Sequence, residues 1–362
     1  MSPGLVRPRR AYIDWLRGIA VLCMIEWHVV DAWTSAPARA SAVWPAAGWI
    51  GGWAAPLFLF LAGVAVPFAI AGHAARGKSE GRATWLVALR GWEVFGIAHL
   101  FRLQSFLFNL NAPLASLFAA DILNILGLGL AITAWLTGRA RRGGLAGRIA
   151  WLLVPAIVVM ALTPMAASWQ WPASLPSWLE SYIRPNGLGL FRLFPSVAFV
   201  PLGAFIGLVL AGARDERVHL RLAIVGGASA VAGYVLGELR IAAWMPWTSV
   251  WAWPIWQFGV MTFALWASWA VMKAWTSPAA DRVWSPILVL GRTSLFVYWV
   301  HVELAYGVWS LPLHGALPLA VSVLGVAGMV VLMYYAAGWW NRAAGRPWIP
   351  AELTTRQLTT NK

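Results

Sequence analysis

The stretch AYIDWLRGIAVLCMIEWHVVDAW, residues 11–33, is apolar and long enough for a helix in lipid, yet it carries Asp14, Arg17, Glu26, His28 and Asp31. Ionisable groups at membrane depth are costly, so by default they mark a site or a paired strut. A neutral imidazole can take a proton from an incoming nucleophile, or can itself accept an acyl group. Asp31, three residues beyond His28, shares its face and is spaced to orient the ring or stabilise its cation, as the acid of a catalytic triad does. At about 100° per residue, Arg17 and His28 fall within about 20° of each other, Asp14 and Asp31 flank the same stripe, and Glu26 points nearly opposite. Asp14 and His28 are separated by about 21 Å of helical rise. One face of this helix therefore joins a charged pair at one rim to a histidine deep toward the other. The other reading of His28 is a hydrogen-bonded core histidine.

The elements that must position these groups follow from composition. The chain has 362 residues, 60% hydrophobic and 11% charged, with 27 Trp. A soluble domain carries roughly 25% charged residues. Apolar runs recur at about 13–33, 46–72, 85–105, 114–137, 149–166, 188–212, 222–240, 251–274, 285–309 and 316–340. Each approaches or exceeds the ~20 residues that cross hydrocarbon. The expected fold is an all-α integral membrane protein of about ten transmembrane helices. A barrel would show alternating strands of about ten residues instead.

The net charge of +14 is distributed unevenly. If the N-terminus lies inside, the alternate segments assigned to the cytoplasm contain 19 of the Lys and Arg residues, and the outer segments contain only Arg39, Arg102, Arg184 and Arg240. That asymmetry is the positive-inside rule, and it predicts both termini in the cytoplasm. The charge thus reads as topology and not as a nucleic-acid surface, with attraction of a polyanionic cytosolic ligand as a secondary reading. Cys23 is the single cysteine, so there is no disulfide framework. One polytopic domain is expected over 1–345, followed by a polar cytoplasmic tail over 346–362.

This topology gives the remaining candidates a height. His28 and Asp31 fall in the outer part of the first span, His99 and Arg102 at the outer end of the third, and Asp121 and Asn124 at the outer start of the fourth. Arg192 enters the sixth span from outside, and His301 lies in the outer half of the ninth. Such convergence is what a pocket open to the outer face requires. Arg102 or Arg192 can neutralise an oxyanion or grip a phosphate. His301 divides evenly between substrate contact and structural hydrogen bonding. Arg292 and Glu303, eleven residues apart, cannot close a strut within one helix, so each needs partners elsewhere. The six histidines are scattered without HxxxH or HExxH spacing, which fits metal binding poorly.

The pattern D-x-x-R-G-x-A followed by His28, here Asp14, Arg17, Gly18 and Ala20, resembles the integral-membrane acyltransferases of the transmembrane acyltransferase superfamily. The stretches APLFLFLAGVAV, DILNILGLGLAI, FPSVAFVPLGAFIGLVL and LGRTSLFVYWVHVELAYG resemble the branch that contains heparan-α-glucosaminide N-acetyltransferase and its bacterial relatives. The similarity runs from about residue 10 to about 310. It implies acetyl-CoA as a cytosolic co-substrate with no permanently bound cofactor, and a glycan or amino-sugar acceptor on the extracytoplasmic side. It also implies a bacterial cytoplasmic (inner) membrane location. Asp14 and Arg17 match the rim motif and would shape the donor entrance. His28 would be the general base or transient acyl carrier and Asp31 its orienter, with Asp121, Asn124, Arg192, His301, His99 and Arg102 facing the acceptor. The rival reading is a transporter that moves an anionic metabolite through the same polar core. The lipid bilayer is the expected environment, nucleic acid is not an expected partner, and a homodimer is left open.

Overall fold

The computed structural model describes residues 10–108, 113–184, 189, 191–213, 215–238, 248–275 and 285–344, with the side chains of 248–250 excepted. The tail expected over 346–362 lies outside the described residues, as do Arg7, Arg9, Arg214, Arg240, Arg282 and most of the Trp-rich outer loop after Glu238. The long elements are α1 (Ala11–Trp33), α2 (Ala54–Ala75), α3 (Glu80–Phe108), α4 (Ile122–Ala140), α5 (Val154–Ser168), α6 (Phe199–Gly212), α7 (Arg217–Glu238), α8 (Thr248–Trp275), α9 (Pro286–Arg292), α10 (Ser294–Tyr306) and α11 (Leu319–Ala343). Among the described residues all regular elements are helical, as expected.

The expected ten spans are not reproduced by helix length and composition. Five helical stretches qualify among the described residues, or six if α9 and α10 count as one. The difference has identifiable causes. α1 and α3 are long enough, but their ionisable residues lower the apolar signal. The run Leu114–Ser168 contains two expected spans as one nearly continuous helical stretch, and α6 is short. The expected single span at 285–309 is broken: α9 and α10 meet at a 91° bend. Large apolar side chains such as Trp85, Trp135, Leu324 and Tyr335 are exposed, which suits a lipid-facing surface.

The chain forms two compact units. The first contains Phe58–Trp266. Its helices approach closely where glycines face backbone. A Cβ added at Gly91 of α3 would press on Ala131 and Gly127 of α4, and one at Gly203 of α6 would strike the Phe60 carbonyl of α2. In lipid the hydrophobic effect does not drive helices together, so such small-residue contacts contribute much of the packing. Gly233 of α7 packs in the same way against Trp256 of α8. Gly91→Leu is expected to destabilise by about 1–3 kcal/mol through overpacking. Gly96→Leu, on the same helix with open space beside it, should leave the melting temperature in detergent near wild type.

The second unit joins the N-terminal stretch up to Leu57 with the part from Ala267 onward. Its axis is α1. Ile287 of α9 lies over Gly18, and Gly291 sits so close to the Asp14 carbonyl that any side chain there would collide with it. At the other end α1 stops at Thr34, where a loop takes over its hydrogen bonding. Gly315, at φ +60°, donates to the Ala32 carbonyl, and Leu317 donates to Trp33. The Thr34 hydroxyl donates to Ser322 of α11 at 2.9 Å. The two halves of the broken helix are thereby held against opposite ends of the α1 face that carries the charges.

Candidate functional site

The sequence-derived residues fall into two groups, one in each unit. In the second unit, His28 of α1 meets His301 of α10, with Nδ1 of the first 2.8 Å from Nε2 of the second. The rings are nearly coplanar at 12° with centroids 5.0 Å apart, the separation of two imidazoles joined edge to edge. His301 is fully buried, and its Nδ1 lies 2.6 Å from the Val297 carbonyl. A carbonyl only accepts, so that Nδ1 must carry the hydrogen. In a neutral ring Nε2 of His301 is then the acceptor, and Nδ1 of His28 must donate to it. The chain of bonds, from His28 through His301 to Val297, assigns the tautomer of each ring. It leaves Nε2 of half-buried His28 with its lone pair.

Asp31 does not orient this ring directly. Its carboxylate accepts from the Tyr306 hydroxyl at 2.8 Å and lies 3.7 Å from Arg39, which also donates to the Asp31 carbonyl. Tyr306 links the two groups, its ring edge-on to His28 at 5.5 Å. Trp33 donates to the Ala305 carbonyl at 3.0 Å and fixes the same stretch of α10.

At the other end of α1, buried Asp14 holds Arg17 at 2.9 Å and Arg292 at 3.6 Å. The sequence pairing of Asp14 with Arg17 is thus joined by a second guanidinium, which reaches Asp14 because the chain breaks immediately after α9. Arg292 was recognisable as a residue needing a distant partner, though not which one. One carboxylate thus lies between two guanidiniums at this rim. On the far side of α1, Glu26 has a buried carboxylate oxygen with no hydrogen-bond partner among the described residues.

The first unit gathers His99, Arg102, Asp121 and Asn124. Asp121 caps α4: its side chain accepts from the helix N-terminus, while Asn124 accepts the Asp121 N–H at 3.0 Å. This reciprocal capping box satisfies donors that the helix start leaves unpaired. Arg102 donates to the Ala120 carbonyl at 3.2 Å and lies 3.7 Å from the Asp121 carboxylate. His99 reaches toward Asn124 at 3.5 Å and stacks edge-on to Phe95. A short outer helix, Ser177–Ile183, closes over this group, with Ser181 accepting from the Ala120 N–H at 2.9 Å. Burial pushes the Tyr182 hydroxyl up to about 12, so it stays neutral beside Arg102 and Asp121. Arg192 immediately precedes Leu193, whose N–H donates to the Tyr182 carbonyl, and its Nε is buried with no hydrogen-bond partner among the described residues.

Asp121→Ala is expected to cost about 1 kcal/mol as a lost cap, readable as a lower melting temperature. Asp121→Asn keeps a cap acceptor and should recover most of that loss.

Tyr306, Arg39 and Arg292 are the residues that sequence reasoning left out of the site. Each is recruited by a contact across helices, and only Arg292 announced itself, as a charge without a partner in its own helix.

Comparison with protein families finds a match over most of the chain. The model of the family described as "Heparan-alpha-glucosaminide N-acetyltransferase, catalytic" covers residues 9–237. The match includes α1 with Asp14, Arg17, His28 and Asp31, and all of the capping group around Asp121. It ends before the broken helix that carries His301. A search among curated proteins found no match to the chain.

Proposed function

The chain belongs to the heparan-alpha-glucosaminide N-acetyltransferase catalytic family, and from that premise we propose that it moves an acetyl or other short acyl group across a bilayer. An acetyltransferase-type activity in an integral membrane protein is what the family and the apolar helices support. In our reading the donor is cytosolic acetyl-CoA, the acceptor is a glycan or amino sugar on the far side, and the membrane is a bacterial inner membrane. Both termini then lie in the cytoplasm, in keeping with the distribution of Lys and Arg.

The observation that carries this reading is the His28–His301–Val297 hydrogen-bond chain, from which an unprotonated Nε2 on His28 follows for neutral rings. An acceptor amine or hydroxyl attacks the thioester carbonyl and passes its proton to that nitrogen. The new bond to carbon forms as the carbon–sulfur bond breaks, and the imidazolium returns the proton to the departing thiolate, giving free thiol. The same nitrogen can instead attack first and carry the acyl group. In both routes the positive charge on His28 is stabilised by His301, which stays neutral and accepts from Nδ1. The Asp14–Arg17–Arg292 rim, about 21 Å away along α1, places two guanidinium groups where the phosphates of a donor arriving from the cytoplasm would pass. His99, Arg102, Asp121, Asn124 and Arg192 are assigned to the acceptor.

Purified protein in detergent, given acetyl-CoA and a hexosamine acceptor, should release free thiol in proportion to acetylated acceptor. Metabolite flux through proteoliposomes without thiol release would favour a transporter and overturn this reading. Asp121→Asn should raise KM for the acceptor more than for the donor; the reverse would misassign that group.

A further inference from the structure

In the first unit a groove of about 690 Å³ runs along the outer seam of α3 and α4. Its walls include Trp85, Trp92, Ile132 and Trp135, each about half exposed, and its end is formed by Arg139 and Arg142. Arg139 lies flat on Trp135, its guanidinium carbon 3.3 Å from the ring centroid, and is flanked by Trp151 at 5.6 Å. That contact fixes its position without neutralising its charge. The neighbouring Arg141 pairs with Glu80 at 3.8 Å, whereas no carboxylate pairs with Arg139 or Arg142 among the described residues. The groove is therefore apolar along its length and cationic at one end, the end assigned to the cytoplasm.

We infer that this groove binds one anionic phospholipid of the surrounding membrane, its acyl chain along the tryptophans and its phosphate between Arg139 and Arg142. The complementarity is twofold. The tryptophans offer area that only an apolar chain covers without desolvation cost, and the paired guanidiniums favour a phosphate monoanion over a zwitterionic headgroup. The bound lipid would fill the seam between two helices already in backbone contact at Gly91 and Gly127, and so act as a structural part of that pair. The inference is independent of the acyl-transfer reading, since it involves neither histidine.

Native mass spectrometry of the full-length protein in detergent, titrated with dioleoyl-phosphatidylglycerol or dioleoyl-phosphatidylcholine, tests it. The wild type should retain the anionic lipid about tenfold better. Arg139→Gln combined with Arg142→Gln should bring the two lipids to parity. Ile132→Trp, which fills the groove and keeps both arginines, should lower retention of both. Equal retention of the two lipids by the wild type would overturn the inference. So would an undiminished preference in both variants, displacement of the lipid by coenzyme A, or a second copy of the chain occupying the seam. The thiol-release assay on the same variants separates this outcome from failure of the catalytic reading.

Discussion

His28→Ala is expected to reduce thiol release by about 10²- to 10⁴-fold, the range general-base groups contribute, while the protein remains folded. The side chain is half-buried and makes one hydrogen bond to a neutral partner, so its removal should cost about 1–2 kcal/mol of stability. His28→Asn makes the sharper comparison. An asparagine amide nitrogen occupies roughly the place of Nδ1 and can still donate to Nε2 of His301, but it offers no base. If the role of His28 is to hold His301, the Asn variant should retain activity. If its role is chemical, Asn should be as inactive as Ala while melting closer to wild type. His301→Ala should fall between wild type and His28→Ala in activity: Nε2 of His28 remains, but nothing fixes the tautomer that exposes its lone pair.

Asp14→Ala is expected to be the most destabilising single change at the rim, at about 3 kcal/mol. Asp14 is 2% exposed, and its removal takes away a carboxylate contacted by both Arg17 and Arg292. Deleting one member of a buried ionic group typically costs 3–5 kcal/mol, because the charge left behind is neither solvated nor paired. The lower end is expected here because both guanidiniums retain some contact with solvent. Arg90 and Glu93 provide the control. Their separation is also 2.9 Å, yet both side chains are half exposed, so Glu93→Ala should cost no more than about 1 kcal/mol. Thermal unfolding of the two variants in one detergent would compare them. Equal shifts would mean that burial does not set the value of the Asp14 contacts.

Much of this was legible in the sequence, for definable reasons. Composition and 3.6-residue periodicity identified an all-helical membrane protein, and arithmetic on α1 placed Arg17 and His28 on one stripe. The bend after Arg292 was not legible. A hydropathy average over a helix-length window is blind to a break that occupies a residue or two, and Gly291–Arg292–Thr293 sits inside an otherwise continuous apolar run. The His28–His301 bond was illegible for a different reason, since it joins residues 273 apart in the chain and no local pattern encodes it. Asp121 and Asn124 read in the sequence as acceptor-facing residues. The structure shows them forming a capping box, a signal that Asp-Ile-Leu-Asn ahead of an apolar run carries and that the sequence reading passed over. Span counting suffered because the polar residues that make α1 and α3 interesting also weaken their apolar signal.

The most direct measurement is a density map of the protein with coenzyme A bound. The account predicts the sulfur within reach of His28 Nε2, with the phosphates toward Arg17 and Arg292. A sulfur held away from that ring, or an imidazole facing lipid with no path to the donor, would contradict it.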